Sequence, residues 1–170
     1  MKYIGIDLGG TNIVAGLIDE DGTIIKSLNK PTQKERSAEL IFDDIIAMCK
    51  SLIDEFKLDQ TTLKGIGLGV PGSIDKKNGL IVYANNLKTS NFNVKAYFSG
   101  KLDYPVSLGN DADCAALGEV VAGGAKGYSD AVIFTLGTGV GGGVIINGQI
   151  FSGFYPGGAE LGHQIIVKDG

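Results

Sequence analysis

Two stretches of this chain are written alike at a spacing of 128 positions, and no other feature constrains its fold as much. Slid without a gap, Leu8, Gly9, Gly10 and Thr11 fall on Leu136, Gly137, Thr138 and Gly139, while Leu17 and Ile18 fall on Ile145 and Ile146. Each copy reads as strand, glycine turn, strand, and each closes on a tight turn, Asp21-Gly22 in one and Asn147-Gly148 in the other. The chain is therefore expected to start one architecture at its first residues and to start it again near residue 130.

Between the two copies the pattern is that of an α/β domain. KYIGIDL and NIVAGLI form the first hairpin, and TIIKSL adds a third antiparallel strand. From Ser37 to Phe56, Ile41, Ile45, Met48, Cys49, Leu52 and Phe56 recur at helical spacing and make one apolar stripe. KGIGLGV at 64–70 is continuously apolar, as a central strand covered on both faces would be. A short helix near Val94 to Phe98 and the strand PVSLG follow. NDADCAALGEVVAG then starts a helix that Asn110, Asp111 or Asp113 could cap, and DAVIFTL opens a new sheet.

Composition removes several classes of function. The apolar runs are too short to span a bilayer, and no signal-peptide pattern opens the chain, so a membrane partner is not expected. Cys49 and Cys114 read as buried helix positions without disulfide or CxxC spacing, which points to the cytoplasm. A net charge of −4 with no basic run argues against nucleic acid. Glycine is the outlier, with 27 in 170 residues, about twice the usual share of roughly 7%.

Those glycines invite a dinucleotide reading that context refuses. Gly67-Leu-Gly69-Val-Pro-Gly72 and Gly137-Thr-Gly139-Val-Gly-Gly142 both match GxGxxG. That fingerprint works only when a strand precedes it and a helix N-terminus follows to receive the pyrophosphate. The first runs on through Pro71 into SIDKKNG, read as a loop, and the second runs on into the strand VIINGQI. No GxxxxGK[ST] occurs either. What remains is a hairpin whose turn offers bare backbone N–H groups to anionic oxygens.

Four motifs then stand in order: Asp7-Leu8-Gly9-Gly10-Thr11; Asn110-Asp111-Ala112 before a helix; Leu136-Gly137-Thr138-Gly139-Val140-Gly141-Gly142-Gly143; and Gly157-Gly158-Ala159-Glu160-Leu161-Gly162-His163. In order and spacing the chain resembles the ROK family of repressors, open reading frames and sugar kinases, within the superfamily of actin-like ATPases and hexokinases. The resemblance implies an α/β fold. A ribonuclease H-like (actin-like ATPase) N-terminal domain with a mixed sheet would occupy residues 1–117, with the first phosphate loop and the catalytic aspartate. The first hairpin of a second copy would follow in 118–170.

The same resemblance implies roles. Asp111 would be the general base that takes the proton of the attacking sugar hydroxyl, with Asn110, Glu160 and His163 holding the other hydroxyls. Asp7, Gly9, Gly10, Thr11 and Asn12, and in the second loop Gly137, Thr138, Gly139, Gly141 and Gly142, would hold the phosphates of ATP, with Asp7 reaching Mg²⁺ through water. Each motif also has a plainer use: Asp7 as a turn acceptor, Asn110 and Asp111 as helix caps, His163 as an ordinary polar residue. PGSIDKKNG and Asn85-Asn86-Leu87 resemble sugar-side segments of the family and read equally well as turns.

In the family, His163 would also be the first ligand of a structural zinc whose three cysteines lie beyond residue 170. Zinc needs four ligands, so none is expected here. The chain is accordingly read as the N-terminal portion of one about twice as long, able to phosphorylate glucose or a related hexose with ATP, and inactive at this length; members of the family often form homodimers through the second domain, and the sequence does not fix the oligomeric state. The alternatives are a sugar-sensing regulator of the same family and a catalytically dead sugar-binding module. Regulators carry a helix-turn-helix ahead of the first strand, which here begins at residue 2.

Overall fold

The computed structural model describes residues 1–137, 139–153, 160–163 and 167. The chain falls into two compact units, Met1–Asp111 and Ala112–Gly170, each described by itself.

The first unit is built on β1 (Lys2–Leu8), β2 (Asn12–Asp19), β3 (Ile24–Pro31), α1 (Ala38–Glu55), β4 (Leu63–Val70), β5 (Ser73–Asp75), β6 (Leu80–Ala84), β7 (Thr89–Asn93), α2 (Val94–Phe98) and β8 (Val106–Asn110). Its main sheet runs in the order β3-β2-β1-β4-β8. β1, β2 and β3 are antiparallel neighbours, whereas β1, β4 and β8 are parallel. Alternation decides the buried face: Ile4, Ile6 and Leu8 lie beside Ile13, Ala15 and Leu17 on one side and Ile66 and Leu68 on the other, all buried. The stripe Ile41, Ile45, Met48, Cys49 and Leu52 of α1 closes that core, each large apolar side chain contributing about 1.5–3 kcal/mol. Lys57 ends the helix with φ 49°, which lets the Leu58 N–H reach back to the Ile53 carbonyl at 2.9 Å.

On the opposite face the same register lines up residues almost without side chains. Gly16, Gly5, Gly67 and Ser107 are successive partners across β2, β1, β4 and β8, and a Cβ added to Gly67 would meet nothing within 4 Å.

The segment after β4 departs from the loop expected there. β5, β6 and β7 form a three-stranded antiparallel sheet. Its strands are three to five residues long and alternate polar with apolar only loosely, so no period announces them. The turn from β5 to β6 is fixed by the Asp75 carboxylate, which accepts from the Asn78 N–H at 3.0 Å and its side-chain amide at 2.6 Å.

In the second unit, α3 (Asp111–Ala122) continues into it from residue 111, and β9 (Ala131–Leu136), β10 (Val140–Ile146) and β11 (Gln149–Ile150) form a sheet in the order β11-β10-β9. The β9–β10 hairpin differs from the β1–β2 hairpin by one residue of register. Leu8 pairs with Ile13, so a gapless shift would pair Leu136 with Gly141, but Leu136 pairs with Val140. One residue is half a strand period, and it turns β9 over. Val132, Phe134 and Leu136 are exposed, Leu136 at 82%, where their counterparts Ile4, Ile6 and Leu8 are buried. The two closing turns differ as well. Asn147 and Gly148 both have positive φ, 52° and 73°, the two-residue type I′ geometry. Asp21-Gly22 sits inside a longer loop whose N–H groups at Asp21 and Thr23 donate to the Asp19 carboxylate.

Cys49 is buried as expected, and desolvation pushes its thiol up to about 12. Cys114 corrects the expectation: it is exposed, because only Ala116 of α3 is buried and the helix turns Cys114 away from β10. Among the described residues no helix is long and apolar enough to cross a membrane.

Candidate functional site

The C-terminal ends of three parallel strands converge in the first unit. Asp7 lies near the end of β1, Val70 ends β4, and Asn110 ends β8 with Asp111 immediately after it. Ligands of open α/β sheets collect at this edge, where strand ends release the chain into turns and helix starts.

The first glycine turn leaves β1 here. Its Gly9 N–H donates to the Asn12 carbonyl at 2.9 Å. The Gly9 carbonyl accepts the Thr32 hydroxyl at 2.7 Å, and the Thr11 carbonyl accepts the Thr32 N–H at 2.8 Å. The N–H groups of Gly10 and Thr11 donate to no acceptor among the described residues. Exposed donors at the tip of a turn form the concave device that holds anionic oxygens. A side chain at Gly10 would stand against Asn86, whose Cβ is 3.7 Å from where a Cβ would lie, so the short 3-10 turn Asn85–Leu87 borders this loop.

Asp7 is solvent-accessible, yet its carboxyl is held above the ordinary carboxylate range. Partial desolvation is the larger cause, and the negative charge of Asp111 is the second. Two carboxylates at one strand edge concentrate negative charge there, which favours cations over anions near Asp7. Asn110 donates its side-chain amide to the Gly72 carbonyl at 3.3 Å. Gly72 has φ 91°, and a Cβ there would lie 2.2 Å from the Tyr83 carbonyl oxygen, so no other residue fits. This orienting contact was absent from the site expected from sequence; the Pro71-Gly72 turn signal marked the loop but not the use of its carbonyl.

The second unit carries the other expected residues. Gly137 and Gly139 form the β9–β10 turn, with the Gly137 N–H donating to the Gly139 carbonyl at 2.9 Å and open space around both. Thr138 lies outside the described residues. Gly141 and Gly142 are not in the turn but in β10. A Cβ on Gly141 would come 2.6 Å from the Thr135 hydroxyl, one on Gly142 2.7 Å from the Ile133 carbonyl oxygen, and one on Gly143 2.5 Å from the Ala116 Cβ. Close packing therefore explains these three. Glu160 and His163 flank a short 3-10 turn, where the His163 N–H donates to the Glu160 carbonyl at 3.2 Å and both side chains are exposed. Gly157-Gly158-Ala159 lies outside the described residues. No group of three or more His, Cys, Asp and Glu gathers to hold a metal among the described residues.

Comparison with known proteins agrees on one family. The ROK family profile matches residues 3–170. A glucokinase of Thermotoga maritima is 37% identical over all of this chain and 52% of its own length. A glucokinase of Halalkalibacterium halodurans is 35% identical over 99% of this chain and 51% of its own. The crystal structure of a ROK family glucokinase from Streptomyces griseus in complex with glucose and AMPPNP superposes with a TM-score of 0.87 at 35% identity, covering 100% of this chain and 52% of that one. The chain thus spans about half the length of the curated relatives it matches.

Proposed function

This chain belongs to the ROK family, and from that premise we propose that the full-length protein transfers the γ-phosphoryl group of ATP to a hydroxyl of a hexose, glucose or a close relative. The observation that carries the reading is the arrangement at the sheet's C-terminal edge. Asp7 and Asp111 are coupled through their charges beside a turn whose Gly10 and Thr11 N–H groups are unengaged among the described residues.

Phosphoryl transfer asks a protein chiefly to position reactants and to neutralise charge. Asp111 accepts the proton from the sugar hydroxyl as its oxygen attacks the γ-phosphorus. Asn110, oriented by the Gly72 carbonyl, holds a neighbouring hydroxyl so that the attacking oxygen is in line. The Gly10 and Thr11 N–H groups take phosphate oxygens, a role that the family resemblance gives also to Gly137, Thr138 and Gly139. Glu160 and His163 hydrogen-bond further sugar hydroxyls. Asp7 would hold Mg²⁺ through water; bound there, the ion would neutralise the charge gathering on the transferred group. Gly141 and Gly142 are left to packing.

The test is Asp111→Asn in the full-length protein. Its kcat with hexose and MgATP should fall by about 10²–10⁴-fold, while hexose binding measured by calorimetry stays within about threefold. Turnover at the wild-type rate would remove Asp111 from the role of base. A wild-type protein that binds hexose without transferring phosphate would instead favour a sugar-sensing regulator.

A further inference from the structure

A buried threonine on the core side of the first glycine turn has no part in the site as expected from sequence. Thr32 follows β3 in the polar stretch KPTQKERS and is 0% exposed. Its hydroxyl donates to the Gly9 carbonyl at 2.7 Å and its N–H to the Thr11 carbonyl at 2.8 Å. Its own carbonyl accepts from the Arg36 guanidinium at 2.9 Å, and the same guanidinium nitrogen reaches the Asp44 carboxylate of α1 at 2.7 Å. Lys30 pairs with the other oxygen of Asp44. Desolvation raises the Asp44 carboxyl, but the hydrogen bonds from Lys30 and Arg36 outweigh it and leave it below the ordinary range. A continuous line of polar contacts therefore runs from helix α1 through Arg36 and Thr32 to the turn.

The geometry of the peptide unit says what that line does. In a trans, planar peptide the C=O of one residue and the N–H of the next point in opposite directions. Fixing the Gly9 carbonyl toward the buried Thr32 hydroxyl therefore fixes the Gly10 N–H away from the core. That N–H is one of the two in the turn that meet no acceptor among the described residues. Glycines at 9 and 10 impose no preference of their own on this plane, so the orientation must come from a neighbour.

We infer that Thr32 is a positioning residue for nucleotide binding: its hydroxyl pins the Gly9–Gly10 peptide so that the Gly10 N–H faces the phosphates, and Arg36 and Asp44 brace Thr32 against α1. This rests on the kinase reading for the identity of the ligand, but the orientation of the peptide does not. Thr32→Val keeps the shape and removes the donor; Thr32→Ser keeps the donor.

In the full-length protein Thr32→Val should raise the KM for MgATP about tenfold, equivalent to about 1.4 kcal/mol, with the KM for hexose unchanged within about twofold. Thr32→Ser should restore the wild-type value. Hydrogen exchange read at the Gly10 amide should change in Thr32→Val and match wild type in Thr32→Ser. If Thr32→Val does not fold, Arg36→Met removes the brace while keeping the hydroxyl, and a rise of about threefold in the nucleotide KM is expected. A wild-type KM for MgATP in the folded variant, with unaltered exchange at Gly10, would overturn the assignment. So would equal rises in both KM values that serine does not rescue, since these mark a general packing role. Should the wild-type protein transfer no phosphate at all, the kinase reading fails alone, and exchange at Gly10 still decides whether Thr32 sets the peptide.

Discussion

Asp7 carries a charge that the folded chain holds at a cost. Desolvation and the charge of Asp111 both favour its protonated form, so the folded state binds this proton more tightly than the unfolded state does. The stabilisation that follows is complete below the ordinary value of 3.8 and is lost as the pH rises through the higher folded value. Asp7→Asn does not suffer that loss. In the full-length protein without Mg²⁺, its Tm should exceed that of wild type at pH 7, and the difference should shrink toward pH 3.5. A difference that is constant between the two pH values would contradict the coupling. Turnover should fall in the same variant, because the group that lowers stability is one the proposed reaction uses. The residue-level signal for Asp7, a carboxylate closing a strand before a glycine turn, is readable in sequence. That for Thr32 is not, since burial of one hydroxyl in a polar stretch depends on where α1 and the turn come to lie.

Glycine serves two different purposes within one short stretch. In LGTGVGGG, Gly137 and Gly139 belong to the turn and have open space around them, while Gly141 and Gly143 let α3 lie directly on β10. Gly143→Val places a branched side chain where even a Cβ would be 2.5 Å from the Ala116 Cβ. The expected cost is about 1–3 kcal/mol, seen as a lower Tm of the full-length protein, whereas Gly139→Ala should shift it by less than half as much. Equal losses would mean that packing does not distinguish the two positions. Strong periods make β1, β2, α1 and β4 legible in the sequence itself. β5, β6 and β7 escape because three to five residues with loose alternation carry too little pattern. The reversed facing of β9 escapes because a gapless repeat cannot register a turn that is one residue tighter.

At the scale of the whole chain, what is left uncovered differs between the two units. The second exposes Val132, Phe134, Leu136 and Val140 together on one face of its hairpin, where cross-strand neighbours merge into an apolar patch. A polypeptide of these 170 residues alone is expected to bind the dye ANS strongly and to self-associate on a sizing column, and Phe134→Lys to reduce both. A monomer that leaves the dye dark would show that the patch is closed within the chain. The first unit leaves uncovered Gly67 and Ser107, the open end of a row in which Gly5 is half-buried and Gly16 buried. Three of these four positions have no rotamers to lose, whereas every side chain of the apolar patch must surrender some freedom when it is covered. A surface laid against the open end of this row, at Gly67 and Ser107, therefore pays conformational entropy mainly from its own side of the contact.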